Sequence, residues 1–84
     1  MIFGVFAVKD EMTNRFMEPQ YARTEIEATR IFTMQVNDIK LWKDNSADYS
    51  LFKIGEFDEE KGFISNEIKK IIGGRAVLKG ENHA

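Results

Sequence analysis

Aromatic side chains flanked by lysines are the residues in this sequence best suited to binding chemistry. Trp42 lies between Lys40 and Lys43 in the segment IKLWKDN, and Tyr49 precedes Lys53 by four residues in YSLFK. An aromatic ring stacks on a base while a nearby ammonium group neutralises a phosphate, and many proteins hold single-stranded nucleic acid in this way. These five residues are therefore candidates for nucleic-acid binding.

Both aromatic candidates have a structural alternative. The apolar residues Ile39 and Leu41, just before Trp42, indicate a buried segment, which favours a role in the core or in self-association. Strict alternation from Tyr49 places its ring on one strand face together with Leu51, Lys53 and Phe57. If that face is buried, Lys53 needs an ion-pair partner or a route to the edge, whereas an open face presents an aromatic and basic platform. The sequence leaves both alternatives open.

A second set of basic residues lies in the C-terminal part of the chain. Residues 61–80 carry five basic side chains against the single acidic Glu67. The whole chain has a net charge of −2, which argues against a strongly basic nucleic-acid coat, but a local excess of this kind can still neutralise phosphates. Gly73 and Gly74 lack the helix-opening context of a phosphate-binding loop, so they predict a chain break. The candidates for phosphate contact here are Lys69, Lys70, Arg75 and Lys79.

Carboxylates cluster directly before this basic segment. They lack the Asp-x-Asp-x-Asp-Gly spacing of a calcium loop, and an exposed turn gives a carboxyl group no reason to acquire the shifted pKa of a general acid or base. The chain has no cysteine, and its single histidine is His83. We therefore expect a noncatalytic protein with no metal site and no cofactor. The clustered carboxylates are Glu56, Asp58, Glu59 and Glu60.

The N-terminal half of the sequence predicts a strand, an interrupted strand and a helix. Residues 2–9 are apolar on both strand faces as far as the final lysine, which is typical of a central strand. Residues 16–23 form a second strand only if Pro19, which has no N–H to donate, lies at an edge or a bulge. Thr24 and Glu27 form a capping box, and the apolar side chains that follow at spacings of three and four predict a helix with one buried face.

The C-terminal half predicts a hairpin. The helix should fray into a loop at residues 44–48, and residues 49–57 then alternate as a strand. The acidic turn ends at Gly62, which suits a left-handed bulge position, and residues 63–65 begin the return strand. Residues 67–72 fit either a helical turn or an extended chain.

Together these elements predict a single α+β domain over residues 1–80, with residues 81–84 as a frayed tail. The expected architecture is an antiparallel sheet of about four strands with one main helix packed on one face. The other face is left open, and we expect self-association as a homodimer or higher oligomer to cover its apolar side chains. No apolar run reaches the ~18 residues that a membrane span needs, and the N-terminal segment lacks signal-peptide features. We therefore expect a cytoplasmic protein with no membrane partner.

The segment DYSLFKIGEFDEEKG, at residues 48–62, resembles the small nonstructural protein of gokushovirus-type microviruses, which are phages with single-stranded DNA. Looser similarity extends over most of residues 2–65, whereas NEIKKIIGGRAVLKG departs from the proline-rich tail of many members. The resemblance implies a DNA-binding accessory protein of genome replication that acts in the bacterial host cytoplasm and is not part of the virion. Such a protein favours single-strand synthesis and packaging over further duplex replication.

Two functions from different classes follow. The first is a noncatalytic single-stranded DNA-binding protein of phage replication that acts as a homo-oligomer. The alternative is an adaptor that binds viral or host replication proteins and makes little direct contact with DNA. An enzyme is the least favoured class, because the sequence offers no pair of nucleophile and base and no set of metal ligands.

Overall fold

The structure, a computed structural model, describes residues 1–80, and the predicted frayed tail and His83 lie outside the described residues. Within that range six strands form one antiparallel sheet, and the helical elements lie mainly on one side of it. The strands are β1 Ile2–Asp10, β2 Arg15–Phe16, β3 Gln20–Ala22, β4 Tyr49–Asp58, β5 Gly62–Ser65 and β6 Lys69–Gly73. The helices are α1 Glu25–Asp38, α2 Lys40–Asp44 and α3 Gly74–Val77, and a 3₁₀ turn spans Ser46–Asp48.

The sheet is built on two long central strands, β1 and β4, which pair with one another. The short strands β2 and β3 both pair with β1, and β5 and β6 both pair with β4. The α+β class and the antiparallel sheet are confirmed, but the number of strands is six instead of about four. The count differs because, on each side of the central pair, two short strands take the place of one long strand. Pro19, which cannot donate a backbone hydrogen bond, lies in the interruption between β2 and β3.

A β-bulge in β4 changes which side chains share a face of the sheet. Val5 pairs with Gly55 and Phe6 pairs with Lys53, so Ile54 is one extra residue on β4. An extra residue reverses the direction of the side chains that follow it relative to strict alternation. Beyond Ile54, side chains that alternation assigns to one face therefore lie on the other.

Phe57 is the residue most affected by the bulge. The sequence pattern placed it on the face of Tyr49 and Leu51, and this prediction is wrong. Phe57 instead pairs with Phe3, and its ring lies 5.5 Å from that of Tyr21 between centroids, on the opposite side of the sheet. The error arose because a bulge depends on the register between two strands, which the sequence of one strand does not encode.

Helix α1 covers one face of the sheet, and its start follows from local sequence. The Thr24 hydroxyl oxygen accepts a hydrogen bond from the backbone N–H of Glu27 at 3.1 Å, as a capping residue should. Ala28, Phe32 and Val36 recur at intervals of four and are all buried. The predicted fraying is wrong, because the chain turns at the end of α1 and forms α2 and a 3₁₀ turn before β4.

The core lies between α1 and the sheet. It contains buried side chains from β1, β3, β4 and α1, and residues from α2, β6 and the C-terminal segment pack around it. Most of residues 67–72, for which the sequence left two alternatives, are extended, because β6 spans Lys69–Gly73. The buried core residues are Phe6, Val8, Ala22, Ala28, Phe32, Val36, Tyr49 and Leu51.

Candidate nucleic-acid interface

The sheet face opposite α1 carries five aromatic rings, and we call it the aromatic face. Its rings are those of Phe16, Tyr21, Phe52, Phe57 and Phe63. Three of these rings are well exposed, with relative exposures of 40% for Phe16, 53% for Tyr21 and 65% for Phe63. The rings touch in two groups. Phe16 and Phe52 pack edge to face with centroids 5.3 Å apart, and Phe57 lies between Tyr21 at 5.5 Å and Phe63 at 5.1 Å. Edge-to-face pairs of this kind hold their rings in defined orientations.

Small side chains of β1 lie beneath these rings. Val5 and Ala7 are each only 2% exposed although neither belongs to the core on the helix side. They pair with Tyr21 and Phe52, respectively, so their side chains share the face of those rings. The aromatic face is therefore a packed layer whose outer surface is open. Removing a ring would lower the stability of the fold and would also remove part of this surface.

Lys9 brings a positive charge onto the aromatic face. Its Nζ lies 5.5 Å from the centroid of Phe16 and 5.7 Å from that of Phe52, both within the range of a cation–π interaction. Lys70, on β6, pairs with Phe52 and adds a second ammonium group. Both lysines lie within ion-pair distance of Glu11, whose carboxylate is 3.9 Å from Lys9 Nζ and 3.7 Å from Lys70 Nζ.

Of the predicted contact residues, Tyr49 belongs to the core, and Trp42 is partly buried and packs against it. Their rings stack at 4.9 Å with an angle of 15° between planes, and Tyr49 is only 5% exposed. Burial raises the pKa of the Tyr49 phenol above its usual 10.0, and the nearby carboxylates of Asp10 and Asp48 raise it further. In this arrangement Tyr49 does not form an open platform with Lys53. Of the two alternatives that the sequence left open, the burial of Tyr49 favours the core, whereas Trp42 is only partly buried.

Two of the predicted lysines, one on β4 and one on β6, lie on the helix side of the sheet. Lys53 pairs with the core residue Phe6, and its Nζ lies 3.4 Å from Glu56 in an ion pair. Lys69 lies opposite Lys53, and its Nζ is 3.5 Å from the carboxylate of Glu25 in the first turn of α1. These two side chains are therefore separated from the aromatic face by the sheet itself.

Three more of the predicted basic residues lie around one polar cleft, which we call the basic cleft: Lys43, Arg75 and Lys79. All three side chains are exposed. Their neighbour Lys40 forms an ion pair with Asp44 at 2.8 Å, and the hydrogen bond and charge of that carboxylate raise the pKa of Lys40. The predicted residues therefore divide between the core, the helix side, the aromatic face and this cleft.

The acidic hairpin turn has the geometry of a solvated turn. A carboxylate oxygen of Asp58 accepts a hydrogen bond from the backbone N–H of Glu60 at 2.8 Å, and Gly62 has a positive φ of 83°, as predicted for the bulge position. Among residues 1–80, no three acidic, histidine or cysteine side chains are grouped in a way that could hold a metal ion. Within the same range, no helix is both long and apolar enough to span a bilayer.

The fold and this surface define a small α+β domain whose open sheet face combines exposed aromatic rings with lysines. Residues 3–77 match the family model described as phage ORF5 protein, so the chain belongs to the phage ORF5 protein family and is a phage protein. No curated protein and no solved structure matches the chain.

Proposed function

We propose that this protein binds single-stranded DNA on the aromatic face and acts as a noncatalytic accessory protein of phage genome replication. The observation that carries the proposal is the position of Lys9, whose Nζ lies within 6 Å of two rings that pack edge to face. Exposed rings stack on unpaired bases, and adjacent ammonium groups neutralise the phosphates that follow them along the strand.

The geometry favours a single strand over a duplex. In a duplex the faces of the bases are covered by stacking, and only groove edges and phosphates are accessible. An aromatic layer on a sheet contacts base faces, which only an unpaired strand presents. We therefore expect a duplex to bind only through its phosphates, weakly and with strong dependence on salt.

A role in replication is supported by membership of a phage family and by the resemblance of residues 48–62 to the small nonstructural protein of gokushovirus-type microviruses. In this role the protein acts in the bacterial host cytoplasm and is not part of the virion. By covering newly displaced single strands it favours single-strand synthesis and packaging over further duplex replication.

Self-association is part of the proposal. Apolar side chains are exposed on the helix side as well, with exposures of 75% for Ile26 and 58% for Met34. Contact between copies through this second surface buries it and leaves the aromatic face free for DNA. Light scattering should report a dimer or larger particle at ~100 µM. At this concentration the associated species is populated even if its Kd is near ~100 µM. A monomer at every concentration would contradict this part of the proposal.

The alternative function is that of an adaptor for viral or host replication proteins. Glu11 favours this alternative, because it already compensates the charge of Lys9 and Lys70 and leaves the rings as the main feature of the face. Exposed aromatic residues also serve as anchors in protein interfaces. The two functions differ in what the aromatic face contacts, so direct DNA-binding measurements distinguish them.

The test is a titration of fluorescently labelled oligo(dT) and of a duplex of equal length, at two salt concentrations. We expect tighter binding to the single strand, with a difference that persists at high salt because stacking is insensitive to ionic strength. Equal affinity for both forms, or no binding to either, would favour the adaptor.

A further inference from the structure

The basic cleft lies at the end of the sheet where β4 begins. Its three basic side chains come from separate segments: Lys43 from α2, Arg75 from α3 and Lys79 from the residues after α3. Among the residues that the structure describes, none of the three is in an ion pair. Basic side chains that converge on a polar surface without a carboxylate partner are available to bind an anion.

The backbone that carries these side chains is fixed to the rest of the domain. Gly74 packs so closely on the carbonyl oxygen of Ser46 that a side chain there would collide with it. The Asn37 side chain donates a hydrogen bond to the carbonyl oxygen of Val77 at 3.0 Å and accepts one from the backbone N–H of Lys79 at 2.7 Å. The cleft is therefore held in place by contacts to α1 and to the 3₁₀ turn.

Two carboxylates also line the cleft, but they leave an excess of positive charge. Asp44 is compensated by its ion pair with Lys40 at 2.8 Å. Asp48 remains as the second carboxylate against the three basic side chains of the cleft. This leaves an excess of about two positive charges, which two consecutive phosphodiesters of one strand, each with one negative charge, would neutralise.

The cleft adjoins the aromatic face. The backbone N–H of Glu11 donates a hydrogen bond to the carbonyl oxygen of Asp48 at 2.7 Å, and the Glu11 carboxylate contacts Lys9 and Lys70. Along β4, Phe52 lies four residues beyond Asp48, or about 13 Å at ~3.3 Å per residue. Phe57 lies a further ~13 Å along once the bulge is allowed for.

We propose that the basic cleft binds the sugar–phosphate backbone of the strand that crosses the aromatic face, as a second subsite for phosphodiesters. This inference rests on the proposed function. The two surfaces together extend over about 26 Å, twice the ~13 Å of the aromatic face alone, so a very short unpaired strand can occupy the aromatic face without reaching the cleft, whereas a longer strand can occupy both. Oligonucleotides of different length should therefore separate the two subsites.

The experiment compares (dT)3 with (dT)12 in salt titrations of the wild type, of the double variant Lys43→Gln/Arg75→Gln, and of a control. The control, Arg30→Gln/Lys61→Gln, removes two exposed positive charges from α1 and from the hairpin turn. Melting curves establish that both variants fold. Loss of two phosphate contacts should reduce the slope of log affinity against log salt by about 1.4 for (dT)12 in the cleft variant, with no change for (dT)3 and none in the control.

Different failures have different meanings. If (dT)12 binds the wild type and its slope is the same in the cleft variant, or if the slope falls equally for (dT)3, the cleft is not a second subsite, and the proposed function stands. If neither oligonucleotide binds the wild type, the proposed function is overturned and this inference with it.

Discussion

Lys69 and Lys70 are neighbours in β6, yet their ammonium groups lie on opposite sides of the sheet. Lys69 Nζ is 3.5 Å from Glu25 in the helix that covers the core, and Lys70 Nζ is 3.7 Å from Glu11 beside the aromatic face. Alternation along a strand produces this separation. The two lysines therefore form a matched pair for testing which face of the sheet binds DNA.

Replacement of Lys70 by glutamine should weaken binding to oligo(dT) and reduce the slope of log affinity against log salt by about 0.7, because one phosphate contact is lost. The same replacement of Lys69 should leave both quantities unchanged. Fluorescence anisotropy over a range of salt concentrations measures both. Equal effects of the two replacements would mean that DNA does not bind preferentially to the aromatic face.

Replacement of Glu11 by glutamine should strengthen DNA binding. The change removes a negative charge that competes with phosphate for Lys9 and Lys70, and an exposed ion pair of this kind is worth up to about 1 kcal/mol, or fivefold in affinity. The control is Glu25→Gln, which frees Lys69 on the other side of the sheet and should have no effect. A gain of affinity cannot result from misfolding, so an unchanged or weaker affinity in Glu11→Gln would count against the interface.

The ring of Phe16 should contribute to affinity through stacking. Phe16→Ala should cost about 1 to 3 kcal/mol of binding free energy and leave the salt slope nearly unchanged, since no charge is removed. Leu41→Ala is the control, because Leu41 is an exposed apolar residue of α2 with 61% exposure. Isothermal titration calorimetry, with melting curves for both variants, measures the effect, and an equal loss in the two variants would contradict it.

Tyr49 should make folding sensitive to alkaline pH. Burial raises the pKa of its phenol in the folded state above 10.0, so the unfolded chain loses this proton first. The free energy of unfolding should therefore fall as pH rises past 10, and it should fall less steeply in Tyr49→Phe. Chemical denaturation at pH 8 to 11 checks this prediction, and parallel pH profiles for the two proteins would show that Tyr49 is not buried in solution.

Local chemistry predicted much of the fold. Thr24 specified the start of α1 through its hydroxyl, Gly62 specified the hairpin through its positive φ, and the apolar pattern of residues 2–9 specified a central strand. Each of these features depends on residues close in sequence, so the sequence alone contains the signal.

The binding surface was harder to predict because it depends on contacts between distant segments. The bulge at Ile54 arises from the pairing of β4 with β1, and it moves Phe57 to the face that carries Phe52. Trp42 and Tyr49 stack because α2 folds back over the start of β4, which buries Tyr49 and part of Trp42. The alternation of Lys9 with its apolar neighbours was the one local signal that could have placed a cation on the open face.

The central claim is that the aromatic face contacts single-stranded DNA, and an NMR titration of the protein with (dT)12 tests it most directly. We expect the largest chemical-shift changes at the rings and amides of Phe16, Tyr21 and Phe63, with resonances of Ile26 and Met34 on α1 unchanged. Ring stacking shifts nearby resonances strongly, so the affected residues report the contact surface. Changes confined to α1, or the absence of any change at saturating DNA, would contradict the account.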